Sequence, residues 1–253
     1  MRSGTVNTLT TNFVARLKRN DEGAWFELWQ TFGPVIRAQL MKWGKGRIGS
    51  QTVQDLSQET MSALSDSIDR YDPSRGARFS TWLLAIAKHV LGDEMDKRNA
   101  QKRGSGRKGT DFDDAWMASS GASVDSNYEA AVFRAKVEAA IRLVEKECEF
   151  MDFSIYRMRV LDGQPGKGVA AALGISEPTV SRRLAKVRDM LRLRLRQVIT
   201  TYSFTSEEED EPERNGLGLN PSKTDDVLFD ESIAEIFHRQ TELRRQEQTL
   251  MKD

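Results

Sequence analysis

Apolar residues recur at spacings of three and four along most of this chain, which is the pattern of amphipathic helices packed around a core. Two such helices are predicted between Thr10 and Trp43, and another opens at Phe79 and Trp82. Between them a further helix is predicted to bury Val53, Leu56, Thr60, Leu64 and Ile68. No segment alternates between apolar and polar residues as a half-buried strand would. The sequence therefore predicts an all-α protein.

The helix over residues 53–68 carries a polar cluster on the side opposite its apolar stripe. Asp55, Gln58, Glu59 and Ser62 follow one another at helical spacing and share this face. Negative charge in this arrangement suits a basic protein partner. The alternative interpretation is an ordinary solvated surface.

Positive charge and aromatic rings follow this helix. Asp72-Pro73 ends it, because proline disfavours helical geometry in the residue before it. Arg75 and Arg78 lie in the next loop, and Ser80 is a suitable N-cap for the helix of Phe79 and Trp82. The two rings belong either to the core or to a surface on which bases stack. Exposed positions of this helix are predicted at Lys88, His89 and Asp93. A basic run that would follow DNA phosphates comes next and contains Lys97, Arg98, Lys102, Arg103, Arg107 and Lys108.

Residues 156–196 contain the pattern of a helix-turn-helix. A short helix at 169–173 is followed by Gly174, which can adopt positive φ, and by Ser176 as N-cap of the next helix. That helix is predicted to bury Val180, Leu184, Val187, Leu191 and Leu195. Its outward residues are Thr179, Ser181, Arg182, Arg183 and Lys186. Such a basic helix fits the major groove of DNA, and a plain helical hairpin is the alternative.

Composition excludes several classes of protein. Cys148 is the only cysteine and His89 and His238 are the only histidines, so neither a thiolate-rich metal site nor any cofactor is expected. Asp55 and Glu59 have no accompanying nucleophile–base pair or phosphate loop, so an enzyme is not expected. The sequence shows no signal peptide and no apolar run of the roughly 20 residues that span a bilayer. We therefore expect a cytoplasmic protein without a membrane partner.

Charge divides the chain into a basic body and an acidic tail. Residues 205–253 hold 14 acidic and 6 basic residues, a net charge of −8, and the rest of the chain carries +8. This distribution is common among nucleic-acid-binding proteins. We predict two small helical domains, a flexible linker and an acidic extension that contains an amphipathic helix from Asp225 onward. Their predicted bounds are 10–103, 104–127, 128–202 and 203–253.

The order of these elements resembles the sigma factors of bacterial RNA polymerase, in the extracytoplasmic-function (ECF) group of the sigma-70 family. A D-L-x-Q-E motif of that group stands here as Asp55, Leu56, Gln58 and Glu59. Its F-x-T-W-L-x-x-I-A motif stands as Phe79, Thr81, Trp82, Leu83, Ile86 and Ala87. The helix-turn-helix follows at the position of the domain that binds the −35 promoter element.

The resemblance implies a sigma factor that binds core RNA polymerase and directs it to promoter DNA. The first motif would dock on the β′ clamp helices, and the second domain would contact the β flap. Binding of the −10 element would involve Arg75, Arg78, Phe79, Ser80, Trp82, Lys88, His89 and Asp93. Binding of the −35 element would involve Thr179, Ser181, Arg182, Arg183 and Lys186. The alternative is a stand-alone helix-turn-helix regulator, which needs only residues 156–196.

The chain departs from the family pattern just before the docking motif. The group usually has D-A-E-D where this chain has Thr52, Val53, Gln54 and Asp55, so two negative charges are missing. Phosphorylation of Thr52 or Ser50 by a Ser/Thr kinase would restore about −1.5 to −2 units of charge. In the competing hypothesis Asp55, Glu59 and Asp66 suffice for docking.

The extension after Tyr202 is a further departure, since this group commonly lacks one. Its helix could cover the DNA-binding face, bind an anti-sigma factor or polymerase, or pair with another chain. A disordered tail is the remaining alternative.

Overall fold

The structure is a computed structural model that describes residues 8–44, 46–72, 78–103, 126–203, 205–218 and 225–250. These residues form helices and no strand, which confirms the predicted all-α class. The chain divides into two compact units, Met1–Val132 and Phe133–Asp253.

The first unit is built on four helices, α1 (Thr8–Lys18), α2 (Glu22–Trp43), α3 (Ser50–Ser67) and α4 (Phe79–Arg103). A 3₁₀ turn at Ile68–Arg70 follows α3. All five residues of the stripe predicted for residues 53–68 are buried, so the helical period correctly identified the core face of α3.

An aromatic cluster fixes the start of α4. The Tyr71 ring stacks on Trp82 at 4.8 Å between centroids and meets Phe79 edge-on at 5.3 Å. Phe32 of α2 lies 6.2 Å from Phe79. These rings are buried, so α4 begins in a well-packed part of the core.

Helix α5 (Ser126–Glu147) begins in the first unit and continues in the second. Tyr128 is buried, and its hydroxyl donates a hydrogen bond to the Ser80 carbonyl at 2.7 Å. This contact lies within the first compact unit, which ends at Val132.

The second unit contains the rest of α5, then α6 (Phe150–Tyr156), a π turn (Arg157–Leu161), α7 (Gly166–Leu173) and α8 (Glu177–Tyr202). Gly174 has φ of 64°, as the predicted turn requires. The Ser176 hydroxyl accepts a hydrogen bond from the Thr179 backbone N–H and caps α8. The predicted buried residues of α8 are all in the core.

The acidic extension is folded where the structure describes it. It forms α9 (Ser206–Glu209), α10 (Glu211–Arg214) and α11 (Asp225–Leu250). Within residues 205–218, Glu208 and Leu217 are buried. Phe229 and Ile233 of α11 are also buried. The extension therefore contributes to the core of the second unit.

Candidate functional site

The polar face of α3 is at the surface, as predicted. Asp55, Gln58 and Glu59 are exposed, whereas Leu56 is only 2% exposed. Leu56 therefore anchors α3 in the core, and the other three side chains are available to a partner. Gln51, which the sequence reasoning overlooked, donates a hydrogen bond to the Asp55 carboxylate at 3.1 Å. The i,i+4 spacing of these two residues was the available signal.

The first turn of α3 lies beside an arginine of α4. Arg98 donates to the Thr52 hydroxyl at 3.0 Å and to the Arg47 carbonyl at 3.2 Å. Its Nε also pairs with Glu94 at 2.6 Å, and this i,i+4 pair fixes the guanidinium. The first turn of α3 contains no acidic residue, and Ser50 is its first residue. Arg98, predicted to follow DNA phosphates, is therefore held at Thr52.

The residues predicted to bind the −10 element near the start of α4 lie in different environments. Arg78 pairs with Glu129 of α5 at 2.5 Å. Phe79, Ser80 and Trp82 are buried, in or beside the aromatic cluster. The indole N–H of Trp82 is buried and has no hydrogen-bond partner among the described residues. Arg75 lies outside the described residues.

Farther along α4, the other residues predicted to bind the −10 element lie nearer the surface. Lys88 is exposed, and His89 and Asp93 are partly exposed. The His89 Nδ1 and an Asp93 carboxylate oxygen are 3.3 Å apart, one turn of helix from each other. The three side chains thus form a mixed polar strip on one stretch of α4.

The outward residues of α8 form two fixed groups. Arg182 donates to the Thr179 hydroxyl at 3.3 Å, and Thr179 in turn contacts the Ser176 hydroxyl at 2.9 Å. Arg183 and Lys186 both pair with Asp152 of α6, whose side chain is only 1% exposed. Ser181 is exposed beside them. Together they form the polar surface predicted for a recognition helix.

Asp152 was missed by the sequence reasoning. An acidic residue near the start of a short helix looks like an ordinary helix-dipole partner, and its two cations lie more than thirty positions away. Burial raises the pKa of the Asp152 carboxyl, but hydrogen bonds from Lys186 and Arg183 outweigh it and hold the pKa below its usual range. The carboxylate is therefore ionised at neutral pH.

The acidic extension contacts the C-terminal half of α8. Arg188 makes a bidentate pair with Asp230, with its Nη2 at 2.6 Å, and this pairing raises the pKa of the guanidinium. Arg192 donates to Asp226 at 2.7 Å and lies over the Phe229 ring, 4.6 Å from its centroid. These contacts leave Ser181 and Arg182 exposed at the other end of α8.

Two further findings concern the described part of the chain. No group of three or more His, Cys, Asp or Glu side chains there is arranged to hold a metal ion. No helix there has the length and apolar character needed to cross a membrane.

Comparison with known proteins finds a family match within the first unit. Residues 28–101 match the family model of sigma-70 region 2. A curated relative, the ECF RNA polymerase sigma factor RpoE of Cereibacter sphaeroides, is 33% identical over 91 residues. That match covers 34% of this chain and 48% of the relative, so the chain spans about half the length of the relative it matches. Helix α3 with its polar face, the aromatic cluster and residues 79–101 of α4 lie within the family match.

Proposed function

We propose that this chain is a sigma factor of the extracytoplasmic-function group of the sigma-70 family and acts in transcription initiation, as its similarity to region 2 and to RpoE supports. In this proposal the chain binds core RNA polymerase and directs it to specific promoters. The observation that carries it is the exposed set Asp55, Gln58 and Glu59 on a helix inside the region 2 match.

The geometry of α3 supports docking through this face. Leu56 and the rest of the apolar stripe are buried in the first unit, which fixes the rotation of the helix about its axis. The polar residues are thereby held outward on a rigid element and need no rearrangement to meet a basic surface. Preorganised charges of this kind raise both the rate and the specificity of association.

Replacing Asp55, Gln58 and Glu59 together by alanine is expected to weaken binding to core RNA polymerase by about 10- to 100-fold, since interface positions of this kind contribute unequally but substantially. Binding would be measured with the purified full chain and bacterial core enzyme. The matched control is Glu145→Ala, an exposed acidic position on α5. Equal affinity of the triple variant and the control would contradict the proposed docking face.

Two surfaces are proposed for DNA. The strip of Lys88, His89 and Asp93 on α4, with the loop ending at Arg78, would bind the −10 element. For Arg78 to contact DNA it would have to exchange its partner Glu129. The outward face of α8 would bind the −35 element, where Ser181 and Arg182 are exposed and able to reach base edges or phosphates.

We also propose that phosphorylation of Thr52 strengthens docking. A phosphate on Thr52 would sit in the first turn of α3, where the helix dipole favours negative charge, and within reach of Arg98. Because one guanidinium neutralises only part of about −1.5 to −2 charges, negative charge would remain beside Asp55. The kinase would have to reach a hydroxyl that is partly exposed.

Thr52→Glu is expected to bind core RNA polymerase about 3- to 10-fold more tightly than Thr52→Ala, in line with the modest energies of exposed charges. Ser50→Glu is the comparison that separates the two hydroxyls. Mass spectrometry of protein isolated from its own cells would show whether Thr52 carries a phosphate. Indistinguishable affinities of the two Thr52 variants and of cell-derived protein would exclude the switch.

The helix-turn-helix also supports the second candidate function, a stand-alone regulator. Its capped and correctly turned α7–α8 pair is the observation that favours it. Sequence-specific binding of duplex DNA by the isolated chain, with no affinity for core RNA polymerase, would favour that function over the first.

A further inference from the structure

A buried carboxylate lies beneath the basic surface of α8. Asp152 belongs to α6, and its side chain is 1% exposed. One of its carboxylate oxygens accepts a hydrogen bond from Arg183, and the other accepts one from Lys186 at 2.6 Å. Both cations belong to the face of α8 that is proposed to bind DNA.

Asp152 restrains only the charged end of the Arg183 and Lys186 side chains. Their side chains remain 35% and 53% exposed, so each presents part of its length to solvent while its charged head points to Asp152. An ionised carboxylate with two charge-assisted hydrogen bonds is among the stronger restraints available to a surface side chain. Arg183 and Lys186 therefore present their donors in one arrangement rather than many.

The surrounding surface is an open cleft. It has a volume of about 380 Å³ and is lined by Glu149, Asp152, Thr179, Arg182, Arg183 and Lys186. Glu149 is 71% exposed, and its carboxylate lies 3.9 Å from Arg183. The cleft thus contains two acids in different settings. Asp152 is buried and binds two cations, whereas Glu149 is exposed and lies at the limit of contact with one of them, so Glu149 can serve as a control for Asp152.

Asp152 also changes the charge that DNA meets. Phosphate contacts supply affinity that does not depend on sequence, and each additional cation free to neutralise a phosphate steepens the salt dependence of binding. With Asp152 ionised, the three groups carry a net charge of +1, whereas the two cations alone would carry +2. Asp152 therefore reduces the attraction of Arg183 and Lys186 to DNA of any sequence and fixes the orientation of their side chains.

We propose that Asp152 is a positioning residue for DNA recognition, which restrains Arg183 and Lys186 so that α8 discriminates between DNA sequences. The inference rests on the proposed function, because it requires α8 to bind duplex DNA. Asp152 itself contacts no DNA in this proposal and acts through its two partners.

Asp152→Asn tests the proposal, since asparagine keeps the shape of the side chain and removes its charge. With random-sequence duplex DNA as the probe, the variant is expected to bind more tightly at low salt. The slope of log affinity against log salt should steepen by about one to two units as the two cations become free to meet phosphates. Glu149→Gln is the matched control and should leave the slope unchanged.

Discrimination is the second readout. The preferred duplex would be recovered by selection from the random pool with the wild-type full chain and core RNA polymerase. The ratio of its affinity to that of the random pool should fall by about 5- to 10-fold in Asp152→Asn, a small part of the roughly 10³- to 10⁷-fold that separates specific from non-specific binding. A purely structural role of Asp152 would change the thermal stability and leave both this ratio and the salt slope as in the wild type.

A double-mutant cycle keeps the proposal testable if Asp152→Asn is less stable. In a chain that already carries Arg183→Gln and Lys186→Gln, removing the Asp152 charge should no longer change the salt slope. An equally large change in that background would overturn the proposal. Failure of the wild-type chain to enrich any sequence would contradict the proposed function itself. Enrichment by the wild type with an unchanged ratio in Asp152→Asn would contradict this inference alone.

Discussion

A chain truncated after Ser203 is expected to lose the stable fold of its second unit. The extension fills part of that unit's core, since Leu217 and Phe229 are fully buried and Ile233 is 2% exposed. Each such side chain contributes about 1.5–3 kcal/mol through burial. The same truncation leaves Lys136 buried without Glu208, and an unpaired buried charge costs about 3–5 kcal/mol. The total approaches the whole stability of a typical domain.

The truncation also uncovers polar groups that the extension satisfies. Arg192 is largely buried, and it loses both Asp226 and the Gly218 carbonyl. The buried Tyr156 hydroxyl loses its hydrogen bond to Asp230 at 3.2 Å. Because unsatisfied buried groups add to the lost apolar contacts, we expect a loss of at least about 5 kcal/mol in the free energy of unfolding.

Chemical denaturation of the full chain and of the 1–203 chain measures this loss, with helix content followed by circular dichroism. Deletion of residues 244–253 is the matched control, because it keeps α9, α10 and the packed first half of α11. An unfolding transition of the 1–203 chain at the full chain's denaturant midpoint would show that the extension is dispensable for the fold.

The packing of the extension bears on how its removal should be interpreted. Asp226 and Asp230 contact Arg188 and Arg192, whereas Ser181 and Arg182 at the start of α8 stay exposed. Among the described residues the extension therefore covers the flank of α8 and leaves its proposed DNA-binding end open. Loss of DNA binding by a truncated chain would follow from unfolding, and it would say nothing about an inhibitory role of the extension.

Local sequence rules predicted the elements because the relevant interactions are local. The apolar period fixed the buried face of α3, and the sequence Gly174-Ile175-Ser176 gave the turn and the cap of α8. The exposure of Asp55, Gln58 and Glu59 followed from the same period, since residues opposite a buried stripe face outward.

Pairings between distant residues could not be predicted in this way. Arg98 and Thr52 lie 46 positions apart, Asp152 and Lys186 are separated by 34, and Lys136 and Glu208 by 72. In the sequence each of these polar and charged residues looks like a solvated surface position, because such residues are mostly exposed. Tertiary packing determines which of them become buried. The local sequence pattern therefore did not predict the packing of the extension or the restraint of α8 by Asp152.

Replacing Glu208 by glutamine is expected to destabilise the second unit by about 3 kcal/mol, at the lower end of the range for a broken buried ion pair. The side chains of Lys136 and Glu208 are only 1% and 3% exposed, and Nζ lies 3.4 Å from the carboxylate. The lower end applies because Glu211 lies 4.0 Å from the same Nζ and keeps part of the compensation. Glu209→Gln, at the exposed neighbouring position, should change the free energy of unfolding by less than about 0.5 kcal/mol.

The double variant Lys136→Met, Glu208→Leu distinguishes the contribution of the ion pair from that of side-chain packing. Because both ions are removed together, no buried charge is left, and such replacements are often neutral or stabilising by about 1–4 kcal/mol. We therefore expect the double variant to be more stable than Glu208→Gln, with denaturation midpoints as the measurement. If Glu208→Gln were as stable as Glu209→Gln, the Lys136 ammonium would have to reach water in solution. In that case the truncation's destabilisation would have to come from the lost burial of apolar side chains and from the unsatisfied groups of Arg192 and Tyr156.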